Sequence, residues 1–429
     1  MLQTPPSIYA IDFGTSNSLL AAANAQRTYP PIPLDELGLD PSILRSVFLS
    51  PTRHHWSFGQ EAIDLYTEQT GEARLFRSVK KFLPDPGFTG TQIHGAFYSI
   101  IDLVAVFLKH MRDKANTYYA SDVDRVVLGR PAAFSMHAEF DQLAEKRLAS
   151  AARIAGFKHV SFCAEPVAAA YDFKQQVQNE ALVLIADFGG GTSDFSILRM
   201  GPRAIRREDV LGLGGISLAG DAYDGSIMKH KISAHFGTTV QYKMPMGRNV
   251  LAFPAFLLSK LNSPADISFL ARKDTAQLLK NMQAWCVTGE DHRKLTQLIA
   301  LAEEGLGFAI YKPIEQVKKE LSTCTQSLFR FHHPAGIAIE ESIQQTEFVN
   351  FSQTLTDKIL ATLKEIMQQA QVRAADIDLV CLTGGTAQMK SIRQAFEDLF
   401  DKRKIEQFHF FHSIINGLAE HAKELILED

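Results

Sequence analysis

The stretch IDFGTSNSLLA, residues 11–21, has a close counterpart in ADFGGGTSDFSIL, residues 186–198. Each copy is an apolar run, then Asp-Phe-Gly, then small hydroxyl residues, then a second apolar run. This order predicts two strands joined by a tight turn, with an aspartate near the end of the first strand. Glycines in such a turn permit positive φ and let backbone N–H groups approach an anion closely. One copy alone would also fit an ordinary hairpin, because Asp-Gly and Gly-Gly turns are common in sheets.

The repetition of this pattern is more informative than either copy. The same order of Asp, aromatic, Gly and hydroxyl residues predicts a duplicated architecture, with two similar lobes and a cleft between them. Two facing turns of this kind would clamp the ends of a polyphosphate. Asp12 and Asp187 would then be placed to hold its metal ion, usually Mg²⁺. Two unrelated hairpins are the alternative interpretation.

The composition is that of an ordinary globular protein, and it excludes several function classes. The chain has 429 residues, a net charge of −4 and well-mixed charges, so it indicates neither a nucleic-acid surface nor a polybasic membrane patch. The N-terminus does not resemble a signal peptide, and no apolar run reaches membrane-spanning length. The four cysteines are scattered, which argues against a disulfide framework or a zinc site. We therefore expect a cytoplasmic protein with no nucleic-acid or membrane partner.

A third glycine-rich turn follows an apolar run in DLVCLTGGT, residues 378–386. Runs of this kind alternate with helical patterns in both halves of the chain, which predicts an α/β fold. Paired glycines would let a flat ligand lie against the backbone, and the following helix N-terminus favours negative charge. A simple strand-to-helix turn would explain the motif equally well. Neither GxxxxGK[ST] nor an early GxGxxG is present, so hairpin turns would have to bind the phosphates.

The ordered motifs are DFGTSNS, SVKKFL, AEPVAAAYDF, ADFGGGTSD, IEQVKKELS and LTGGTAQMKSIRQAF. Together they resemble the nucleotide-binding region of the actin-like ATPases, and within them the DnaK-type heat-shock chaperones. The two phosphate turns and LTGGT are also similar to those of sugar kinases and actin-like filament proteins. SVKKFL and IEQVKKELS favour the chaperone branch.

The resemblance implies a two-lobed actin-like ATPase fold, built from duplicated ribonuclease-H-like domains with a subdomain inserted in each. Lobe I would span residues 1–178, with an insertion at about 28–97 and a C-terminal helix, 412–429, that returns to it. Lobe II would span residues 179–411, with an enlarged insertion at about 225–345.

The resemblance also implies roles for individual residues. Asp12 and Asp187 would hold Mg²⁺, largely through its waters, while Asp194 would be a further carboxylate near the metal. Lys80, with Lys81 as its nearest rival, would position the attacking water, and Glu165 would orient water or metal. The implied phosphate-binding residues are Gly14, Thr15, Ser16, Asn17, Gly189, Gly190, Gly191 and Thr192.

The implied adenosine site draws on several segments. Its charged helix face carries residues at positions i, i+3, i+4 and i+7. A solvated charged face is the alternative, and without the resemblance it would be the better interpretation. The implied residues are Glu315, Lys318, Lys319 and Ser322 on that face, with Gly220, Gly384, Gly385 and Thr386.

The chain also departs from the family pattern. Lys319 and Gln388 stand where the family usually has arginines, and an arginine stacks better over adenine. The C-terminal junction FFHSIINGLAEHA lacks the usual Asp. The stretch 224–315 is longer than in the family, and Gly214-Gly215 competes with Gly220-Asp221 as the match to the family's glycine–acid pair. The resemblance is closest to stand-alone, YegD-like forms, so we expect no peptide-binding domain after the C-terminal helix, 412–429.

We expect a chaperone-like protein that binds ATP or ADP with Mg²⁺, hydrolyses ATP slowly and opens and closes its lobes. We expect a monomer, with a co-chaperone or client protein as a partner. One alternative is a small-molecule, sugar-type kinase on the same fold. Another is a nucleotide-gated binding module without hydrolysis, and a filament-forming relative is a weaker third.

Overall fold

The computed structural model describes residues 4–68, 74–135, 137–173, 179–201, 207–245, 247, 249–407 and 412–428. Its strands are β1 (Ile8–Phe13), β2 (Asn17–Ala23), β3 (Thr28–Tyr29), β4 (Leu44–Arg45), β5 (Val47–Ser50), β6 (Ser57–Phe58), β7 (Arg74–Arg77), β8 (Gly90–Ile93), β9 (Ala96–Ser99), β10 (Arg125–Arg130), β11 (His159–Ala164), β12 (Ala181–Phe188), β13 (Ser193–Met200), β14 (Val210–Ile216), β15 (Gln241–Lys243), β16 (Val250–Ala252), β17 (Gln326–His333), β18 (Ile337–Gln344), β19 (Leu379–Thr383) and β20 (Ile405–Gln407). Its α-helices are α1 (Gly59–Glu68), α2 (Ile100–Tyr119), α3 (Ala138–Ile154), α4 (Glu165–Phe173), α5 (Gly220–Ile227), α6 (Ala255–Leu261), α7 (Lys273–Ala284), α8 (Gly289–Glu303), α9 (Gly307–Glu320), α10 (Gln345–Gln369), α11 (Lys390–Leu399) and α12 (Ser413–Glu428).

Two sheets of this α/β fold have the same strand order. The first sheet runs β11-β10-β1-β2-β3, and the second runs β14-β13-β12-β19-β20. In each sheet the central strand, β1 or β12, pairs antiparallel with the next strand in the chain, β2 or β13. On its other side it pairs parallel with a strand from much later in the chain, β10 or β19. The predicted duplication of one α/β unit is therefore confirmed.

The two central hairpins, β1–β2 and β12–β13, also share their register. Asp12 pairs with Leu19, and Asp187 pairs with Asp194, so each aspartate faces the residue seven positions later. In both hairpins the next pair is a phenylalanine opposite a serine. A four-residue turn therefore begins at Gly14 in the first hairpin and at Gly189 in the second.

Helix α4 packs against the cores of both sheets. Ala168 belongs to a buried cluster with residues of the first sheet, while Ala169 and Ala170 belong to a cluster with residues of the second. Only small side chains suit such close packing on both sides, which explains the alanine-rich sequence of this helix. On α12, a Cβ at Gly417 would clash with the Ala168 carbonyl, so the two helices meet at backbone contact. This packing fixes the N-terminus of α4, where Glu165 lies.

The chain forms two compact units. The first comprises Met1–Ala219, Ile359–Ala387 and Gln394–Asp429. It contains the first sheet, which has six strands because β4 also pairs with β2, and the five-stranded second sheet. The second comprises Gly220–Lys358 and Gln388–Arg393, with the hairpins β15–β16 and β17–β18 and the helices between them. The lobe boundaries inferred from the sequence stay a prediction, and residue 429 of the predicted terminal helix lies outside the described residues. Among the described helices, none combines the length and apolar character needed to cross a membrane.

Candidate functional site

The first and second hairpin turns touch each other within the first unit. A Cβ placed on Gly191 would lie 2.9 Å from Thr15 Cγ2 and 3.0 Å from Thr15 Oγ1. Those distances are tighter than side chains normally allow, so any larger residue at position 191 would have to displace the Thr15 side chain. The two turns with the predicted phosphate-binding residues are thereby brought together.

The predicted catalytic carboxylates and lysine lie buried near these turns. Asp12 and Asp187 occupy equivalent places on β1 and β12, and each is less than a tenth exposed. Lys80 Nζ donates to Glu165 Oε1 at 2.6 Å, and both side chains are almost fully buried. The charges of Glu165 and Lys80 both act on the pKa of Asp12 and of Asp187. The structure therefore brings these four predicted residues into one electrostatic cluster.

A short 3-10 helix, Val79–Phe82, presents Lys80 to this cluster. It follows Ser78, which has a left-handed backbone at φ 55° and is fully buried. Lys81, the rival that the sequence offered, is exposed on the same helix. The Lys80 ammonium also lies 5.9 Å from the centre of the Phe134 ring, a second favourable contact for a buried cation.

Asp194 lies on β13 opposite Asp187, and only one of its two carboxylate oxygens has a hydrogen bond to the described backbone. Its Oδ1 accepts the Ala132 backbone N–H at 2.8 Å, and the Thr192 hydroxyl also hydrogen-bonds to the carboxylate. A Cβ on Gly215, its partner on β14, would lie 2.6 Å from Oδ1, so a glycine makes space for the carboxylate. Among the described residues, Asp194 Oδ2 is buried without a hydrogen-bond partner.

The pKa values of these carboxyl groups are raised. Burial, and then the charge of Glu165, raises the pKa of Asp12 to about 7, while Lys80 lowers it. Burial and Glu165 likewise raise the pKa of Asp194 to about 7. The pKa of Asp187 is raised by burial, then by Glu165, Asp194 and Asp12. Among the described residues, one lysine therefore faces four carboxyl groups, so acidic groups outnumber the positive charge that acts on them.

This surplus fits a bound divalent cation. Carboxylate oxygens are ligands that Mg²⁺ prefers, and Mg²⁺ is commonly held by one or two carboxylates together with phosphates and waters. The described residues contain no group of three or more His, Cys, Asp or Glu arranged to hold a metal without such help. The buried Oδ2 of Asp194 is a further acceptor that a hydrated ion would satisfy.

The third glycine-rich turn packs against the second hairpin. Gly384 has φ 86°, and a Cβ there would clash with the Phe188 carbonyl, so both conformation and space require glycine. The Thr386 hydroxyl donates to the Gly189 carbonyl at 3.2 Å. Gly385 is exposed and has open space where a side chain would be. The turn thus presents backbone beside the turn of the second hairpin.

The predicted charged face of the adenosine site lies on α9, in the second unit. Lys318 Nζ donates to Asp224 Oδ2 at 2.9 Å and to the Gly220 carbonyl at 3.1 Å. Lys319 pairs with Glu315 at 2.8 Å. The helical prediction holds for Glu315, Lys318 and Lys319 but is wrong for Ser322. That serine follows the helix, which ends at Glu320, and its hydroxyl donates to the Lys318 carbonyl.

Two contacts at Asp194 were not foreseen from the sequence. Neither the Ala132 N–H nor Gly215 belongs to a motif that predicts a contact with this carboxylate. The Lys318–Asp224 pair was missed because its partners are 94 positions apart in the chain. Only the surrounding fold identifies these residues.

Comparison with known proteins adds to this geometry. The family model described as Hsp70 protein matches residues 78–249 and 307–422, more than half of the chain. The chain belongs to the Hsp70 family. Membership classes it with chaperone-like proteins that bind nucleotide, and the predicted actin-like ATPase fold is confirmed. The gap between the two matched segments, residues 250–306, falls inside the stretch that we expect to be longer than in the family.

Several curated relatives are named as chaperone protein HscA homologs. The protein from Polynucleobacter asymbioticus is 25% identical over 433 residues, covering 96% of this chain and 57% of the relative. The protein from Burkholderia lata is 25% identical, covering 91% of this chain and 54% of the relative. The protein from Burkholderia mallei is 26% identical with the same coverage. The chain thus spans little more than half the length of these relatives.

Proposed function

We propose that this protein binds ATP with Mg²⁺ and hydrolyses it slowly, as a chaperone-like ATPase. The observation that carries the proposal is the contact between two hairpin turns of the same register, each preceded by a buried aspartate. Family membership supports the nucleotide as the ligand. The charge surplus around Asp12, Asp187 and Asp194 supports the cation.

The two turns would bind the phosphates through backbone N–H groups and hydroxyls. Thr15, Ser16 and Asn17 supply these donors in the first turn, and Gly190, Gly191 and Thr192 in the second. Their amides are fixed by strand pairing on both sides, so little order would be lost on binding. Such preorganised donors are the main means by which proteins stabilise transferring phosphoryl groups.

Asp12 and Asp187 would hold the Mg²⁺ ion. When bound, the ion would neutralise phosphate charge and so favour transfer of the terminal phosphoryl group. The Asp194 Oδ2 atom, which has no hydrogen-bond partner among the described residues, would accept hydrogen bonds from waters around the ion. Because the pKa values of Asp12 and Asp194 are raised to about 7, cation binding would release protons near neutral pH.

Lys80 and Glu165 would orient the attacking water. The buried ion pair fixes the ammonium, which has two N–H donors left for a water and a phosphate oxygen. Glu165 Oε1 is occupied by Lys80, so its second oxygen is the candidate acceptor for the water. Hydrolysis would then change the opening between the lobes, and a co-chaperone or client protein would use that change.

The charged face of α9 would take part in nucleoside binding, as would the turn of Gly384, Gly385 and Thr386. Lys318 has one N–H left after its bonds to Asp224 and Gly220. Lys319 and Gln388 lack the planar guanidinium that stacks on adenine. We therefore expect weaker affinity or looser base preference than an arginine at either position would give.

Thermal unfolding with Mg-ATP, Mg-ADP and Mg-GTP tests the binding half of the proposal. A ligand that binds only the native state stabilises it by about 2.7 kcal/mol when present at about 100 times its Kd. We expect both adenine nucleotides to raise the Tm, and Asp12→Ala to abolish the Mg²⁺-dependent part of the rise. No shift of the wild-type Tm at millimolar nucleotide would sink the proposal.

Steady-state phosphate release tests hydrolysis. Lys80→Ala should lower the rate by about a hundredfold or more, because it removes charge that acts on the transferring group. Lys81→Ala is the matched control, since it removes the neighbouring exposed lysine, and it should change the rate less than twofold. If the protein binds nucleotide but releases no phosphate, it is not an ATPase, and the alternative of a nucleotide-gated binding module is favoured. Release of ADP that depends on an added sugar or small acid would instead favour a kinase.

A further inference from the structure

Ser46 is a buried serine that connects two parts of the candidate site. It lies between β4 and β5, and its hydroxyl donates to the Gly14 carbonyl at 2.7 Å. The same oxygen lies 2.9 Å from the hydroxyl of Ser18, which is also fully buried. Because the Ser46 proton is used on Gly14, the Ser18 hydroxyl must be the donor to Ser46. Every polar atom in this small chain of bonds is therefore satisfied.

The backbone of Ser46 makes two further links. Its N–H donates to the Ser16 carbonyl at 2.9 Å, so the residue holds the first phosphate turn at two carbonyls. Its own carbonyl accepts the Ser78 N–H at 3.4 Å. Ser78 immediately precedes the short helix that carries Lys80. One residue thus contacts both the first turn and the segment that presents the lysine.

The direction of a carbonyl decides the direction of the next N–H. In a planar trans peptide the C=O and N–H groups point in opposite directions. A hydrogen bond from Ser46 to Gly14 O therefore turns the Thr15 N–H away from Ser46, and the bond to Ser16 O does the same for the Asn17 N–H. These are amides of the turn that would receive the phosphates.

The second turn contains a comparable contact. The Thr386 hydroxyl donates to the carbonyl of Gly189, the glycine equivalent to Gly14. That contact is longer, at 3.2 Å, than the 2.7 Å bond made by Ser46. Two hydroxyls from unrelated segments therefore fix the same carbonyl in the two copies of the turn.

We infer that Ser46 is a positioning residue, whose hydroxyl holds the first turn in the geometry that binds phosphate. The inference rests on the proposed function for the ligand, but the geometry of the turn can be tested without any ligand. Ser46 itself would not touch the nucleotide. Its loss would act through the amides of Thr15 and Asn17.

Hydrogen exchange of the ligand-free full chain, followed by mass spectrometry on the peptide covering residues 12–20, tests the positioning directly. Ser46→Ala should speed exchange of this peptide about fivefold or more, since one buried hydrogen bond is lost. Ser50→Ala is the matched control, because Ser50 is equally buried on adjacent β5 and its hydroxyl faces Thr52 rather than the turn. That variant should leave the peptide unchanged.

Calorimetric titration with Mg-ADP tests the consequence for binding. Ser46→Ala should raise the Kd about tenfold and Ser50→Ala less than twofold. If Ser46→Ala fails to fold, Ser46→Cys keeps the volume with a weaker donor and should raise the Kd several-fold. Equal effects of the two alanine variants, or normal exchange in Ser46→Ala, would overturn the inference. A wild type that binds no Mg-ADP would count against the proposed function, while the exchange comparison would still decide whether Ser46 holds the turn.

Discussion

The two central hairpins have the same register but different surroundings. Asp12 in the first hairpin faces Leu19, whereas Asp187 in the second faces another carboxyl group, Asp194. The apolar partner belongs to the buried core of the first sheet. The acidic partner instead adds charge where a cation is expected. The duplicated fold therefore supplies two equivalent turns. The two halves of the site differ because the position opposite the aspartate is Leu19 in one hairpin and Asp194 in the other.

The turns differ in tightness as well as in charge. A Cβ on Gly14 would clash with the Asn17 carbonyl, whereas a Cβ on Gly189 would lie at ordinary contact distance, 3.4 Å, from the Thr192 carbonyl. The first turn is also held by the stronger hydroxyl contact, from Ser46. The first turn is thus the more tightly packed around its leading glycine, and the second hairpin carries the additional carboxyl group.

The largest expected difference between the hairpins comes from replacing the first glycine of each turn, Gly14 or Gly189, with alanine. Gly14→Ala forces a methyl group into the Asn17 carbonyl and should cost about 2–3 kcal/mol, as overpacking does. Gly189→Ala adds the same methyl group at a tolerated distance and should cost less than about 1 kcal/mol. Thermal unfolding of both ligand-free variants measures the difference. Equal losses of Tm would show that the two turns are equally tight.

Much of this site could be predicted from local sequence. The hairpins and their aspartates follow from a motif of about a dozen residues, because strand pairing across a short turn is a local event. The approach of Lys80 to Glu165 came only from the family resemblance, since the two are 85 positions apart. Ser46 escaped prediction because a single serine 32 positions from its partner carries no pattern.

The end of α9 shows a different limit. A helix face at i, i+3, i+4 and i+7 predicts where side chains lie only while the helix continues. Residues 322–325 read STCT, which are weak helix formers, and the chain turns into β17 at Gln326. Ser322 therefore leaves the face that Glu315 and Lys318 share, while its hydroxyl still bonds to the Lys318 carbonyl.

A smaller effect is expected on the pH dependence of stability, through Asp194, the additional carboxyl group of the second hairpin. The pKa of Asp194 in the folded chain is about 7, above the value near 4 of an unfolded aspartate. Between these values the native state binds more protons, so the free energy of unfolding falls as pH rises through this interval. Asp194→Asn should reduce that fall and raise the Tm of the ligand-free protein by a few degrees at pH 8. The Tm measured from pH 5 to pH 8 gives the slope.

The control for this pH effect is an aspartate whose pKa is shifted the other way. The Arg403 side chain hydrogen-bonds to Asp401 and lowers its pKa, so Asp401 stays ionised across the interval. Asp401→Asn should therefore leave the slope between pH 5 and pH 8 unchanged. A slope in Asp194→Asn as steep as that of the wild type would contradict the assignment of raised pKa to the second hairpin.

The smallest expected effect lies in the hydroxyl contact of the second turn. Thr386→Val removes the 3.2 Å bond to the Gly189 carbonyl and should cost up to about 1 kcal/mol of stability. Thr383→Val is the matched control, because the Thr383 hydroxyl is equally buried and has no hydrogen-bond partner among the described residues. Removing an unsatisfied buried hydroxyl should be neutral or slightly stabilising. If both valine variants unfold at the same temperature, the Thr386 contact does not hold the turn, and the resemblance to Ser46 in the first hairpin is only geometric.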